Sequence, residues 1–209
     1  MNSIFCFYFH ILLAKSSLNR IKKSNSALLP INIMENIRVV ITGTVGAGKS
    51  TFVRIASEID VVEIERKVSD SDTEASFKDT TTVAFDFGRL VLEANKTLYM
   101  YGTPGQTRFD FMWDILIKGA DAYILLVTAN QPNSFSYAQD ILSFMNDRVQ
   151  VPMLIGLTHT DCGGALPVEE IVKRLGIVNA QHRPPILNVN PQLKPSVLKA
   201  LRVLIKQIS

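Results

Sequence analysis

Arg38-Val39-Val40-Ile41-Thr42-Gly43-Thr44-Val45-Gly46-Ala47-Gly48-Lys49-Ser50-Thr51 contains a complete G-x-x-x-x-G-K-[ST] pattern, from Gly43 to Ser50. Val39, Val40 and Ile41 form a short apolar run, as a strand buried on both faces requires. Phe52, Ile55, Ala56 and Ile59 follow at helical spacing. Between strand and helix, Gly43, Gly46 and Gly48 free the backbone to wrap an anion with its N–H groups. Lys49 supplies a point charge for β- and γ-phosphates, and Ser50 a hydroxyl ligand for Mg²⁺. The helix that begins here turns its positive end toward the anion. Gly43 through Thr51 is therefore a candidate nucleotide-binding loop.

The chain has 209 residues, enough for one domain with a substantial core. Its 47% hydrophobic and 20% charged content fits a globular α/β protein. The net charge of +3 is unevenly placed. Residues 1–33 carry four basic and no acidic side chains, leaving 18 basic against 19 acidic beyond them. That balance argues against a nucleic-acid surface on the main domain. Ile4–Ala14 is apolar but far shorter than the ~20 residues a bilayer span needs. Basic residues follow it rather than precede it, unlike a signal peptide. Residues 1–33 read as a leader outside the fold, with Met34 as an alternative start and 34–209 as the domain. Any membrane contact through the leader is at most peripheral. Cys6 and Cys162 lack metal or redox spacing, which suits thiols in a reducing cytoplasm.

Strands are expected at Asn36–Thr42, Ala122–Thr128, Val151–Thr158 and Pro185–Asn190. Helices are expected at Lys49–Glu58, around Phe135–Met145, at Pro167–Gly176 and at Ser196–Ile208. Glu65–Thr80 is polar without an apolar period and reads as a long loop. Thr81–Gly102 reads as an antiparallel hairpin with Glu93 facing Lys96. Strand and helix otherwise alternate, so the fold class is α/β: a mostly parallel sheet, one antiparallel hairpin and helices on both faces.

Tyr101-Gly102-Thr103-Pro104-Gly105-Gln106 ends the hairpin. Phosphate loop, threonine-bearing polar loop, hairpin and P-G-Q, in that order, resemble the small GTPases of the P-loop NTPases. The T-T-x-x-x-D-F and T-P-G-Q signatures resemble bacterial MglA-like and conservon-type G proteins. That resemblance implies GTP or GDP as ligand, with Mg²⁺. It implies that Thr82 closes on the metal when a γ-phosphate is present. It further implies that Gly105 donates to that phosphate and that Gln106 orients the attacking water, so Gln106, Lys49 and Thr82 form the catalytic set. Gly102 stands where the family carries an Asp. Asp86 is the candidate substitute, making the metal set Ser50, Thr82 and Asp86. A two-residue turn would place Asp86 opposite Thr103.

Thr158-His159-Thr160-Asp161 closes a predicted strand and resembles [NT]-K-x-D. An ionised Asp161 can accept from guanine N1–H and N2–H, where adenine offers no such pair. His159 replaces Lys and could stack on the base. Asn188 and Val189 fall where the family's second base-contacting loop lies. Arg108–Lys118 should be helical, with Phe111 and Ile115 opposite the apolar stripe as a candidate docking surface. The resemblance implies a Roadblock/LC7-type regulator there. The expected activity is a GTP-hydrolysing switch. A small-molecule kinase and a nucleotide-binding scaffold without turnover are the alternatives.

Overall fold

The computed structural model describes residues 35–68, 81–93, 95–104, 116–177 and 183–208, with the backbone alone for 62–68 and 81–84. All fall in one compact unit, Met34–Ser209. Its strands are β1 (Glu35–Gly43), β2 (Val62–Val68), β3 (Thr81–Glu93), β4 (Lys96–Gly102), β5 (Ala122–Thr128), β6 (Met153–Thr158) and β7 (Ile186–Asn188). Its helices are α1 (Lys49–Ala56), α2 (Phe135–Arg148), α3 (Val168–Arg174) and α4 (Lys194–Ile205). The strands form a seven-stranded sheet in the order β2-β3-β4-β1-β5-β6-β7. From β4 to β7 every neighbouring pair is parallel. Only β2–β3 and β3–β4 are antiparallel. This is a P-loop NTPase architecture, with its carboxyl strand ends gathered on one side.

Each face of the sheet has its own apolar layer. Val39 and Ile41 of β1 meet Phe52 and Val53 of α1 and Val197, Leu201 and Leu204 of α4. On the other face, Val40 shares a layer with Tyr123, Leu125, Phe135, Ala138, Met145 and Ile171. Each fully buried Leu, Ile or Phe contributes about 1.5–3 kcal/mol. Such packing, and not propensity, holds α1 together, because an isolated eight-residue helix is unstable in water. Helix α3 is punctuated as its sequence predicts. Pro167 caps it, Glu169 and Glu170 sit in the first turn, and Gly176 leaves it at φ +71°. Among the described residues, no helix is long and apolar enough to cross a membrane.

Two expectations are corrected. Glu65–Val68 is not loop but the second half of β2, an edge strand antiparallel to β3. Its period-2 pattern begins at Val62 and Ile64, and interleaved charges, which suit an edge, disguise it. The hairpin register also differs. Glu93 faces Lys96 as expected, but a bulge between Val91 and Glu93 shifts the pairing by one. Asp86 therefore lies opposite Gly102, not Thr103.

Candidate functional site

The turns that follow β1, β4, β6 and β7 converge on one region. After β1 the chain enters the phosphate loop. Gly43, Gly46 and Gly48 take φ values of +142°, +76° and +86°. The Thr44 N–H reaches back to the Leu126 carbonyl at 3.2 Å, and the Ala47 N–H to the Thr44 carbonyl at 3.3 Å. Thr44 Oγ1 lies 3.2 Å from Thr128 Oγ1, both buried. Thr128 in turn pairs with Thr158 in the β5–β6 ladder. A row of buried threonines thus ties the phosphate loop to the strand that carries the base motif.

Lys49 is folded into the loop. Its Nζ donates to the carbonyls of Gly43 at 2.9 Å and Thr44 at 2.8 Å. Burial pushes its pKa down from 10.5 to about 8, while the Asp86 carboxylate pulls it part of the way back. Between those values the unfolded chain holds more protons than the folded one. Stability attributable to Lys49 therefore rises with pH across that window. In urea unfolding at stepped pH, the metal- and nucleotide-free protein should gain up to ~3 kcal/mol relative to Lys49→Met between about pH 8 and 10.5. A flat difference would show that Lys49 keeps its ordinary pKa.

Asp86 and Gly102 are complementary. A Cβ added at Gly102 would lie 3.0 Å from Asp86 Oδ2 and 3.2 Å from Asp86 Cβ. The carboxylate thus fills the space beside residue 102 where the resembling family carries its own. Next along the chain, Thr103 donates its hydroxyl to Thr42 Oγ1 at 3.1 Å and its N–H to Ile41 O at 2.9 Å. The backbone of Thr82 lies in β3 opposite Lys67. Gly105, Gln106, Arg108, Phe111 and Ile115, like residues 1–33, lie outside the described residues.

At the far end, His159 adopts a left-handed conformation at φ 56°, which a histidine tolerates better than most residues. Its Nδ1 lies 3.1 Å from Thr158 Oγ1, and its carbonyl accepts the Cys162 N–H at 3.2 Å. This tight turn presents Thr160, Asp161 and Cys162 to a cavity of about 540 Å³. The same cavity is lined by Gly46, Gly48 and Thr51 of the phosphate loop, by Asn188 at the end of β7 and by Val189 just after it. Val189 is buried, and its N–H is bound to Leu157 O at 2.8 Å.

Sequence reasoning missed Pro191, Gln192, Leu193 and Ser196 of this lining. The Asn190-Pro191 dipeptide at a strand end is the signal that marks a turn there. The turn is built from its own groups: Asn190 Oδ1 accepts the Gln192 N–H at 3.0 Å, and Ser196 Oγ accepts the Asn190 N–H at 3.0 Å. Pro191 touches the phosphate loop, since a Cβ at Gly48 would meet its Cγ at 2.7 Å.

Residues 41–183 match the profile of a family described as conserved hypothetical ATP binding proteins. The chain belongs to this family. An uncharacterized protein of Methanocaldococcus jannaschii, MJ1339, is 26% identical over 129 residues, which is 62% of this chain and 73% of that protein. The Arl6 BBS3 small GTPase of Trypanosoma brucei, solved with the nucleotide analogue GppNp, shares the fold with a TM-score of 0.63. That match is 16% identical and covers 83% of this chain and 97% of the GTPase. The family and the loop together make this chain a nucleotide-binding P-loop domain with a small-GTPase fold.

Proposed function

We propose that this chain binds GTP with Mg²⁺, hydrolyses it slowly to GDP and phosphate, and regulates a protein partner through nucleotide-dependent loops. The observation that carries the reading is the shared cavity. It joins phosphate-loop glycines to a carboxylate, Asp161, held on a tight turn after a parallel strand. A triphosphate along it has its phosphates at Gly46 and Gly48 and its base at Asp161. Lys49 then exchanges two neutral carbonyl acceptors for charged phosphate oxygens, which makes stronger bonds.

Ser50, Asp86 and Thr82 are the residues that would hold Mg²⁺. The fit rests on Asp86, whose carboxylate stands beside Gly102 and within electrostatic reach of Lys49. When bound, the metal neutralises charge on the β- and γ-oxygens. Gln106 orients the attacking water, and Gly105 donates its N–H to the γ-phosphate. The bonds from Thr103 to Thr42 and Ile41 fix where that segment leaves the sheet. Positioning of this kind supplies most of the catalysis in phosphoryl transfer. The partner we propose is a Roadblock/LC7-type regulator that engages the segment containing Phe111 and Ile115 and raises the hydrolysis rate.

The test is binding of fluorescent GDP and ADP to the full chain in Mg²⁺, with Asp161→Asn alongside. GDP should bind tightly and ADP weakly. Asp161→Asn should weaken GDP by about tenfold or more, because a charge-assisted pair to N1–H and N2–H is lost. Equal affinities, unchanged in the mutant, would mean that Asp161 does not read the base and would overturn the guanine reading, whereas tighter ADP than GDP would assign the family's described adenine nucleotide. Single-turnover hydrolysis with and without the regulator separates a switch from a scaffold without turnover.

A further inference from the structure

We propose that Asn190 is a further nucleotide-binding residue, whose side-chain NH₂ is a fixed hydrogen-bond donor of the cavity and gives to an acceptor of the bound nucleotide. The inference rests on the reading above, in which a guanine nucleotide occupies this cavity.

Asn190 lines the cavity and is exposed. Three of its four hydrogen-bonding groups are held within its own turn. Its backbone N–H donates to Ser196 Oγ at 3.0 Å, and its carbonyl accepts the Leu193 N–H at 3.1 Å. Its side-chain Oδ1 accepts the Gln192 N–H at 3.0 Å. That last bond decides which way the amide faces, since the opposite orientation would set one donor against another. Only Nδ2 is left, and among the described residues it has no partner. The next residue, Pro191, is buried with its ring against Gly48, so the turn is braced by the phosphate loop. A donor held in this way is already ordered when a ligand arrives, and little of its bond is lost to entropy.

The neighbouring groups offer no equivalent. The Val189 N–H is held by Leu157 O at 2.8 Å, and Pro191 has no N–H to give. Among the described residues, the amides of Asn188 and Gln192 carry no side-chain bond that orients them. The hydroxyls of Thr51, Thr160 and Ser196 can donate or accept. Asp161 and Asn190 therefore give the cavity two groups of fixed and opposite polarity: an ionised carboxylate only accepts, and an NH₂ only donates. A guanine nucleotide presents both complements. With N1–H and the 2-amino group at Asp161, the polar edge atoms left on the base are acceptors, and the ribose and phosphates add acceptor oxygens.

The experiment measures GDP affinity of the full chain in Mg²⁺ at pH 7, with urea midpoints alongside, in wild type, Asn190→Asp and Asn190→Ser. Asn190→Asp keeps an oxygen for the Gln192 N–H and replaces the NH₂ with a second oxygen. Asn190→Ser also keeps an oxygen that can accept that N–H, and removes the NH₂ without adding charge. Both should stay folded, with midpoints close to wild type. GDP should weaken about tenfold or more in Asn190→Asp and about fivefold in Asn190→Ser. The Asn190→Asp deficit should persist in 1 M KCl, where charge repulsion is screened. Wild-type affinity in folded Asn190→Ser would overturn the proposal. So would an Asn190→Asp deficit that vanishes in 1 M KCl, because repulsion alone would then explain it. Equal binding of GDP and ADP, unaltered by Asp161→Asn, would instead overturn the guanine reading, and a loss at Asn190 common to both nucleotides would still support the donor.

Discussion

Asp86→Asn should weaken Mg²⁺-dependent nucleotide affinity by about 10–100-fold, the range seen when a supporting carboxylate is lost from a metal site. Exchanging the two residues, Asp86→Gly with Gly102→Asp, should return most of it. The expectation follows from register. Asp86 and Gly102 are directly paired across β3 and β4. Side chains at paired positions share one face of a sheet, so a carboxylate on either strand reaches the same space. In wild type that space is taken, because a Cβ at residue 102 would crowd Asp86 Oδ2 at 3.0 Å. Once Asp86 is glycine, the nearest remaining neighbour of that Cβ is Val53 Cγ2 at 3.5 Å, an ordinary contact. Gly102→Asp alone should fare badly, since it places a second negative charge against the first. The measurement is GDP affinity with Mg²⁺ and with EDTA in the four proteins. If Asp86→Asn leaves the EDTA-sensitive part of the affinity intact, Asp86 does not serve the metal.

The same pair shows what a single sequence reveals. That Asp86 could stand in for a missing carboxylate was readable, because the hairpin alternates cleanly from Val83 to Phe87. Which residue it faces was not, because the register depends on a bulge between Val91 and Glu93 that no local pattern announces. The phosphate loop was legible in full, since its chemistry is packed into consecutive residues. Strand β5 was legible to the residue, because Ala122–Thr128 is buried along its whole length and reads as unbroken apolar sequence. Strand β2 escaped because an edge strand carries charges, and its pairing with β3 is a tertiary fact. The wall at Pro191 escaped for a different reason. Its shape depends on hydrogen bonds that form only after folding, and one acceptor, Ser196, comes from the first turn of α4. Spacing reports residue types, whereas hydrogen-bond capacity emerges only after folding.

Gly43→Ala should cost more than about 4 kcal/mol, a large share of the 5–15 kcal/mol that holds a typical domain together. At φ +142° the backbone occupies a region that L side chains rarely adopt. The added Cβ would also run into the carbonyl oxygen of Leu126, with the Leu126 carbonyl carbon and nitrogen both at 2.9 Å. Neither partner can move aside. Gly43 and Leu126 are paired where β1 meets β5 near the middle of the sheet, and the same carbonyl accepts the Thr44 N–H.

Gly46→Ala makes the comparison decisive. Gly46 also has a positive φ, +76°, but the nearest atom to its Cβ is Gln131 Nε2 at 4.0 Å. Only left-handed strain of ~1–2 kcal/mol remains. Gly48→Ala should fall between them, because its Cβ meets the Pro191 ring, a side chain, and not a backbone. Urea midpoints should therefore rank Gly46→Ala highest and Gly43→Ala lowest. Equal midpoints for Gly43→Ala and Gly46→Ala would mean the sheet yields at Leu126. Gly46→Ala should nonetheless weaken nucleotide binding while staying folded, since Gly46 lines the cavity. Three glycines of one motif thus answer to different demands: Gly43 to strand packing, Gly48 to the wall at Pro191 and, on the proposed reading, Gly46 to the anion.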